Sequence, residues 1–146
     1  MKKLFILITF LLSIWSTAVQ GFSTTAKTAL VIDNTTGEVL LSKDINRPIP
    51  PASMSKLMTL WMVFESLDEG KLEMDDTFKV SRKAWKKGGS KMFLREGESV
   101  KIKDLIKGVI VQSGNDACIV LAEGLAGTEE NFAELMTLRA KEIGLT

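Results

Sequence analysis

The sequence predicts an α+β fold whose sheet is incomplete. Two observations carry that expectation. An apolar, β-branched stretch near residue 30 is mirrored by a second one across a turn, and the chain from residue 53 onward is patterned largely for helices. Two strands rarely make an independent sheet, so a hairpin followed by a run of helices is a partial layout. With 146 residues, 45% hydrophobic and 25% charged, the chain suits one domain or a piece of a larger one and can fill a core.

The elements follow in order. Met1-Lys2-Lys3, the apolar run Leu4 to Trp15 and the small-residue exit Ser16 to Gly21 form the pattern of a secretory signal peptide, with cleavage expected after Gly21 or Ala18. A membrane anchor is the alternative, but the run is shorter than the ~18 apolar residues needed to span, and Thr9 and Ser13 interrupt it. No Cys stands at the exit to carry a lipid. Losing residues 1–21 removes Lys2 and Lys3 and no acids, which leaves a near-neutral exported protein suited to a bacterial periplasm or cell envelope.

Thr28 to Asp33 reads as a strand, Asn34-Thr35-Thr36-Gly37 as a turn, and Glu38 to Ser42 as the returning strand. Pro48, Pro50 and Pro51, the only prolines, cluster in the next loop and can pre-set a helix start. A helix is expected from about Ser53 to Leu67, apolar on nearly every face and therefore buried. Lys71 to Ser90 reads as surface loop with short strands. A second helix should cover about Lys103 to Gln112, with Leu105, Ile106, Val109 and Ile110 on one face. Ser113-Gly114-Asn115 interrupts it before a third helix bearing Ala117, Cys118, Leu121 and Leu125. Thr128 should cap a fourth, with Glu129 and Glu130 in its positive first turn and Phe132, Leu135, Met136 and Ile143 inward.

The absences narrow the chemistry. Lys+Arg number 19 and Asp+Glu 18, a formal charge of +1 that argues against a phosphate-tracking surface and so against nucleic acid as a partner. There is no His, which removes imidazole bases and His-ligated zinc. A single Cys, Cys118, excludes an internal disulfide and a Cys-ligated cluster. No cofactor is implied. Hydrolytic chemistry in this chain needs another base.

Ser53-Met54-Ser55-Lys56 offers one. Positions i and i+3 share a helix face, so Ser53 Oγ and Lys56 Nζ can meet across one turn. A lysine amine beside a serine in a desolvated place gives up its proton more readily and can serve as the base. A helix start also aims free backbone N–H groups at whatever the serine attacks. The plain reading is a helix cap. Ser113-Gly114-Asn115 is likewise readable as a turn with local side-chain bonds. Yet Ser53 opens the only Ser-x-x-Lys, and Ser113 the only Ser-x-Asn, of the chain. That pair, with a Lys-Thr-Gly element, marks penicillin-binding proteins and class A β-lactamases.

Longer blocks carry the resemblance further. Pro51-Ala52-Ser53-Met54-Ser55-Lys56-Leu57-Met58-Thr59 resembles the nucleophile segment of the low-molecular-mass penicillin-binding proteins that are D-alanyl-D-alanine carboxypeptidases (serine peptidase S11 type). Gly89 to Leu94 and Gln112 to Cys118 resemble that family's next two blocks, and Ala29 to Gly37 its opening hairpin. The resemblance spans roughly 28–146. It implies a β-lactamase/transpeptidase-like fold, with residues 22–146 its N-terminal part. It makes Ser53 the acylated nucleophile, Lys56 its base and Ser113 a proton relay, while Asn115 holds substrate. It implies peptidoglycan stem peptides ending in D-Ala-D-Ala as substrate, and β-lactams as covalent inhibitors. The Lys-Thr-Gly element is absent, so the chain is expected to be the N-terminal part of the enzyme, with any membrane association supplied beyond Thr146.

Other residues keep structural readings: Cys118 as a small buried hydrophobe, Lys83, Lys86, Lys87 and Lys91 as a solvated face, and Asp75-Asp76 with no role. Two alternatives stand beside the carboxypeptidase: a class A β-lactamase-like hydrolase, and a non-catalytic envelope binding module. The apolar Ser53–Leu67 helix needs cover on both sides, and large exposed apolar patches promote aggregation. Residues 22–146 alone are therefore expected to be poorly soluble and to release no D-Ala from a D-Ala-D-Ala peptide. A sharp unfolding transition together with penicillin-blocked D-Ala release from that piece would contradict this.

Overall fold

A computed structural model describes residues 22–145, and the leader reading of 1–21 lies outside them. The chain divides into two units between Ile49 and Pro50.

The first unit is the expected hairpin. β1 (Ala29–Ile32) pairs antiparallel with β2 (Val39–Lys43), in a register running from Ala29 opposite Lys43 to Ile32 opposite Val39, with a shift between Val31 and Ile32. Asp33 builds the turn. Its Oδ1 accepts from the N–H groups of Thr35 at 2.8 Å and Thr36 at 2.9 Å, the local bonding that makes Asp a turn former. These donors, Thr36 first, hold the Asp33 carboxyl below the usual carboxylate range. Gly37 closes the turn at φ +75°, where a Cβ would be strained.

The second unit is mainly helical. A 3₁₀ turn, Ala52–Met54, leads into α1 (Ser55–Asp68); then come β3 (Thr77–Lys79), α2 (Arg82–Lys86), β4 (Ser99–Lys101), α3 (Ile102–Gln112), α4 (Asn115–Ala126) and α5 (Glu129–Glu142). β3 and β4 form a second antiparallel pair, with Phe78 opposite Val100. α4 lies at the centre, burying Asp116, Ala117, Ile119, Val120, Leu121 and Ala122, and every other α-helix of this unit packs on it. Gly124 lets the Phe78 ring lie against α4, because a Cβ there would overlap the ring. Val63 of α1, Val80, and Ile102 and Leu105 of α3 complete the sealed centre.

Five expectations need correction. Ser53 lies in the 3₁₀ turn and the α-helix proper begins at Ser55, because the chain leaves the proline loop in a tighter winding before it settles into α geometry. α1 is not buried all round: only Thr59, Leu60 and Val63 are, while Leu57 (65% exposed), Trp61 and Phe64 form an open stripe at i, i+4, i+7. The polar stretch after Lys71 contains α2, whose five residues are too few for a periodic signal; Ser81 caps it, accepting from Ala84 N–H at 3.0 Å. Ile110 is 60% exposed, since α3 turns Ile102, Leu105, Ile106 and Val109 inward instead. On α5 the Thr128 cap forms as expected, accepting from Asn131 N–H at 3.0 Å, but only Phe132 is buried and Leu135 and Ile143 are exposed.

Charge pairs tie α5 to its neighbours. Arg139 Nε donates to both Glu65 oxygens at 2.9 and 3.0 Å, the planar fork matching the carboxylate, and holds the Glu65 carboxyl low. Lys83 reaches Glu129 at 3.0 Å and Glu130 at 2.8 Å, which raises the Lys83 amine. Asp75, given no role from the sequence, pairs with Lys101 at 2.9 Å and Lys103 at 2.7 Å, bonds that lower its carboxyl to about 2. A cavity at a sealed position costs far more than one at a wet position. Leu105→Ala should lower unfolding free energy by about 2–5 kcal/mol, and Ile110→Ala by no more than about 0.5 kcal/mol. Urea unfolding of the two variants checks both.

Candidate active site

Ser53 stands on the 3₁₀ turn just after Ala52, which holds φ +48°, a left-handed conformation costly for a residue with a Cβ. Ser55 Oγ steadies the turn by donating to Ala52 O at 2.8 Å. One turn on, Lys56 Nζ points back and donates to Ser53 Oγ at 3.5 Å.

The same amino group reaches the junction of α3 and α4. It donates to Ser113 Oγ at 2.8 Å and to Ser113 O at 2.6 Å. A helix C-terminus leaves carbonyls unpaired, so an N–H donor belongs there. Ser113 ends α3 in the left-handed region at φ +53°, ψ +38°, a position usually given to Gly. Gly114 follows where space is tight: a Cβ would stand 3.0 Å from Asp116 Oδ1 and 3.2 Å from Gly108 O, so these neighbours would have to give way. Its N–H closes the end of α3 on Gly108 O at 3.0 Å.

Asn115 opens α4. Its backbone N–H donates to Ser90 O at 2.7 Å and its Nδ2 to Gly88 O at 2.9 Å, so both its groups are fastened to the 88–94 segment. Asn115 and Lys56 line a shared hollow of about 290 Å³, with Lys87, Thr59 and Cys118 also on its walls. Ser53, Lys56 and Ser113 thus form one bonded group, and Asn115 sits on the adjoining wall. Among the described residues no cluster of three or more Cys, Asp or Glu is placed to hold a metal.

Sequence reasoning misses Asp116. A carboxylate in the first turn of a largely apolar helix, beside the Ser-Gly-Asn turn, is the signal that could have found it. The structure buries it to 1% exposure and gives it three backbone donors: Met92 N–H at 3.0 Å, Leu94 N–H at 3.2 Å and Ala117 N–H at 2.9 Å.

The family model described as D-alanyl-D-alanine carboxypeptidase matches residues 15–146. The chain belongs to that family. D-alanyl-D-alanine carboxypeptidase DacF of Bacillus subtilis (strain 168) is 44% identical over 120 residues, covering 82% of this chain and 31% of the relative. Among solved structures, DacD from Francisella tularensis aligns with a TM-score of 0.78 at 36% identity, over 85% of this chain and 30% of the other. Penicillin-binding protein D2 from Listeria monocytogenes in its ampicillin-bound form aligns at 0.70 with 28% identity, over 83% of this chain and 48% of the other. The fold is therefore that of the penicillin-binding proteins, and the helices with two small antiparallel sheets make up part of it. The chain spans about a third of the length of the curated carboxypeptidases it matches.

Cys118 is half-buried on α4, less enclosed than expected, because it packs against the core on one side and lines the hollow on the other. Burial pushes its thiol up to about 11, the nearby Asp116 and Glu129 carboxylates adding to the rise and Lys56 opposing it. The attacking species is the thiolate, so a raised thiol is unreactive at neutral pH. Iodoacetamide should alkylate Cys118 far more slowly than free cysteine at pH 7.5, with the rate climbing as pH approaches 11. Mass spectrometry of the Cys118 peptide measures this, and rapid labelling at pH 7.5 would refute the buried-thiol assignment.

Proposed function

We propose that this protein is an exported serine-type D-Ala-D-Ala carboxypeptidase that removes the terminal D-Ala from cell-wall stem peptides. One observation carries the reading. A single amino group, Lys56 Nζ, bridges two serine hydroxyls, at 3.5 Å to Ser53 and 2.8 Å to Ser113. Family membership supports the substrate class, and the leader pattern from Met1 to Gly21 supports export.

In this reading Ser53 Oγ attacks the carbonyl of the D-Ala-D-Ala bond and passes its proton to the lone pair of the Lys56 amine. The C–N bond breaks as the leaving amine of D-Ala takes up a proton through Ser113 Oγ, and an ester to Ser53 remains. Water then adds to that ester and restores the Ser53 hydroxyl. Asn115 holds the substrate's peptide backbone from the adjoining wall. A β-lactam acylates the same serine, but its ring nitrogen stays tethered to the acyl group and does not diffuse away. The ampicillin-bound relative supports the binding of a β-lactam.

The test is penicillin labelling of the full-length protein, read by mass spectrometry. A long-lived adduct on the Ser53 peptide, together with penicillin-blocked release of D-Ala, is expected. Rapid release of hydrolysed penicillin favours a β-lactamase, and no adduct overturns both acylation readings. Arg stays protonated at working pH, so Lys56→Arg keeps a hydrogen-bond donor at this place but no group that can accept the serine proton. The variant should acylate roughly 10²–10⁴-fold more slowly, the usual worth of a positioned general base. An unchanged acylation rate would take Lys56 out of that role.

A further inference from the structure

We propose that Asp116 is a positioning residue for this site: its buried carboxylate clamps the 88–94 segment to the head of α4 and thereby fixes the amide of Asn115. The proposal rests on the acylation reading above only for its kinetic consequence.

The clamp is visible in three sets of contacts. Asp116 Oδ1 accepts from Met92 N–H at 3.0 Å and Oδ2 from Leu94 N–H at 3.2 Å, so one carboxylate grips two amides of the segment. In an extended strand, alternate amides lie roughly 6.6 Å apart, too far for one carboxylate. Phe93, between them, takes φ +61° and so bends the backbone to bring both amides to the same group. Its side chain is 82% exposed, so packing of that ring does not hold the strained residue in place. The flanking bonds to Asp116 do.

At the other end of the segment, Gly88 O receives Asn115 Nδ2 at 2.9 Å and Ser90 O receives Asn115 N–H at 2.7 Å. Asn115 therefore takes its orientation from a segment that Asp116 holds. Asp116 also sits in the first turn of α4, where the helix dipole favours a carboxylate, and its Oδ1 accepts from Ala117 N–H at 2.9 Å. All of these partners are backbone amides, so Asp116 acts through Asn115 and not on the reacting atoms.

Asp116→Asn is the discriminating change. It keeps the size and one acceptor but turns an NH₂ group toward an N–H donor, so the grip on one of the two amides is lost. In the full-length protein, labelling by a fluorescent penicillin should slow roughly 10²-fold, the scale expected for a small misplacement at a reacting site. Asn115→Ala should slow it too, and the double variant should be no slower than the slower single, because one residue acts through the other. Losses that multiply, or an unchanged rate in a folded Asp116→Asn protein, overturn the proposal. Hydrogen exchange supplies an independent arm. In unmodified protein the Met92 and Leu94 amides should be strongly protected beside exposed neighbours, and ready exchange at both overturns the clamp even if the variant does not fold. If unmodified protein takes up no penicillin, the acylation reading fails, and the exchange arm alone decides the clamp.

Discussion

Ala117, Ile119, Val120, Leu121 and Ala122 lie on so many sides of α4 that the helix has little outward surface, and the second unit is arranged around that fact. A helix apolar on most faces must be covered from several directions, and here α1, α2, α3, α5 and β3 cover it. Interiors are packed at crystal-like density, so such a helix cannot slide along its axis without opening voids. Its first residues are therefore held as firmly as its middle. Those first residues are Asn115 and Asp116, preceded by Ser113 and Gly114, and in this way a packing constraint becomes a constraint on the candidate site.

Lys56 turns the packing of α1 against α4 into chemistry. Its amino group reaches the C-terminal end of α3, where the Ser113 carbonyl has no helical partner, and it meets the Ser113 and Ser53 hydroxyls on the way. The bond that satisfies a helix end is also the bond that gathers the two serines. Arg139 with Glu65, and Lys83 with Glu129 and Glu130, are the more ordinary use of charge in this fold: they fasten α5 to α1 and to α2 and gather nothing reactive.

Backbone strain is concentrated in the same region. Among the described residues four non-glycine positions have positive φ, and Ala52, Phe93 and Ser113 of these four border the site. Each is held by identifiable bonds: Ser55 Oγ on Ala52 O, Asp116 on both neighbours of Phe93, and Lys56 on Ser113. Strained conformations persist where the surroundings over-determine them, and here the surroundings are polar bonds to side chains from other turns and helices.

The sequence by itself was enough for the motifs, the class and most helices. Ser53, Lys56, Ser113 and Asn115 were legible because a three-residue spacing and an unusual Ser-Gly-Asn are local properties of the chain, and the hairpin because Asp33 and Gly37 encode its turn locally. Tertiary structure alone decided the rest. Which face of α1 is covered depends on where α4 lies, so a helix apolar all round gave no way to foresee that Val63 is sealed and Leu57 open. α2 is too short to show a period, and it is fixed by the Ser81 cap and by Ala84 packed inward. Asp116 read as one acid in a motif block, because its partners, Met92 and Leu94, stand more than twenty residues earlier and only folding brings their amides to it. Local spacing records which groups a chain carries; burial and hydrogen bonding across the fold decide which of them are held still.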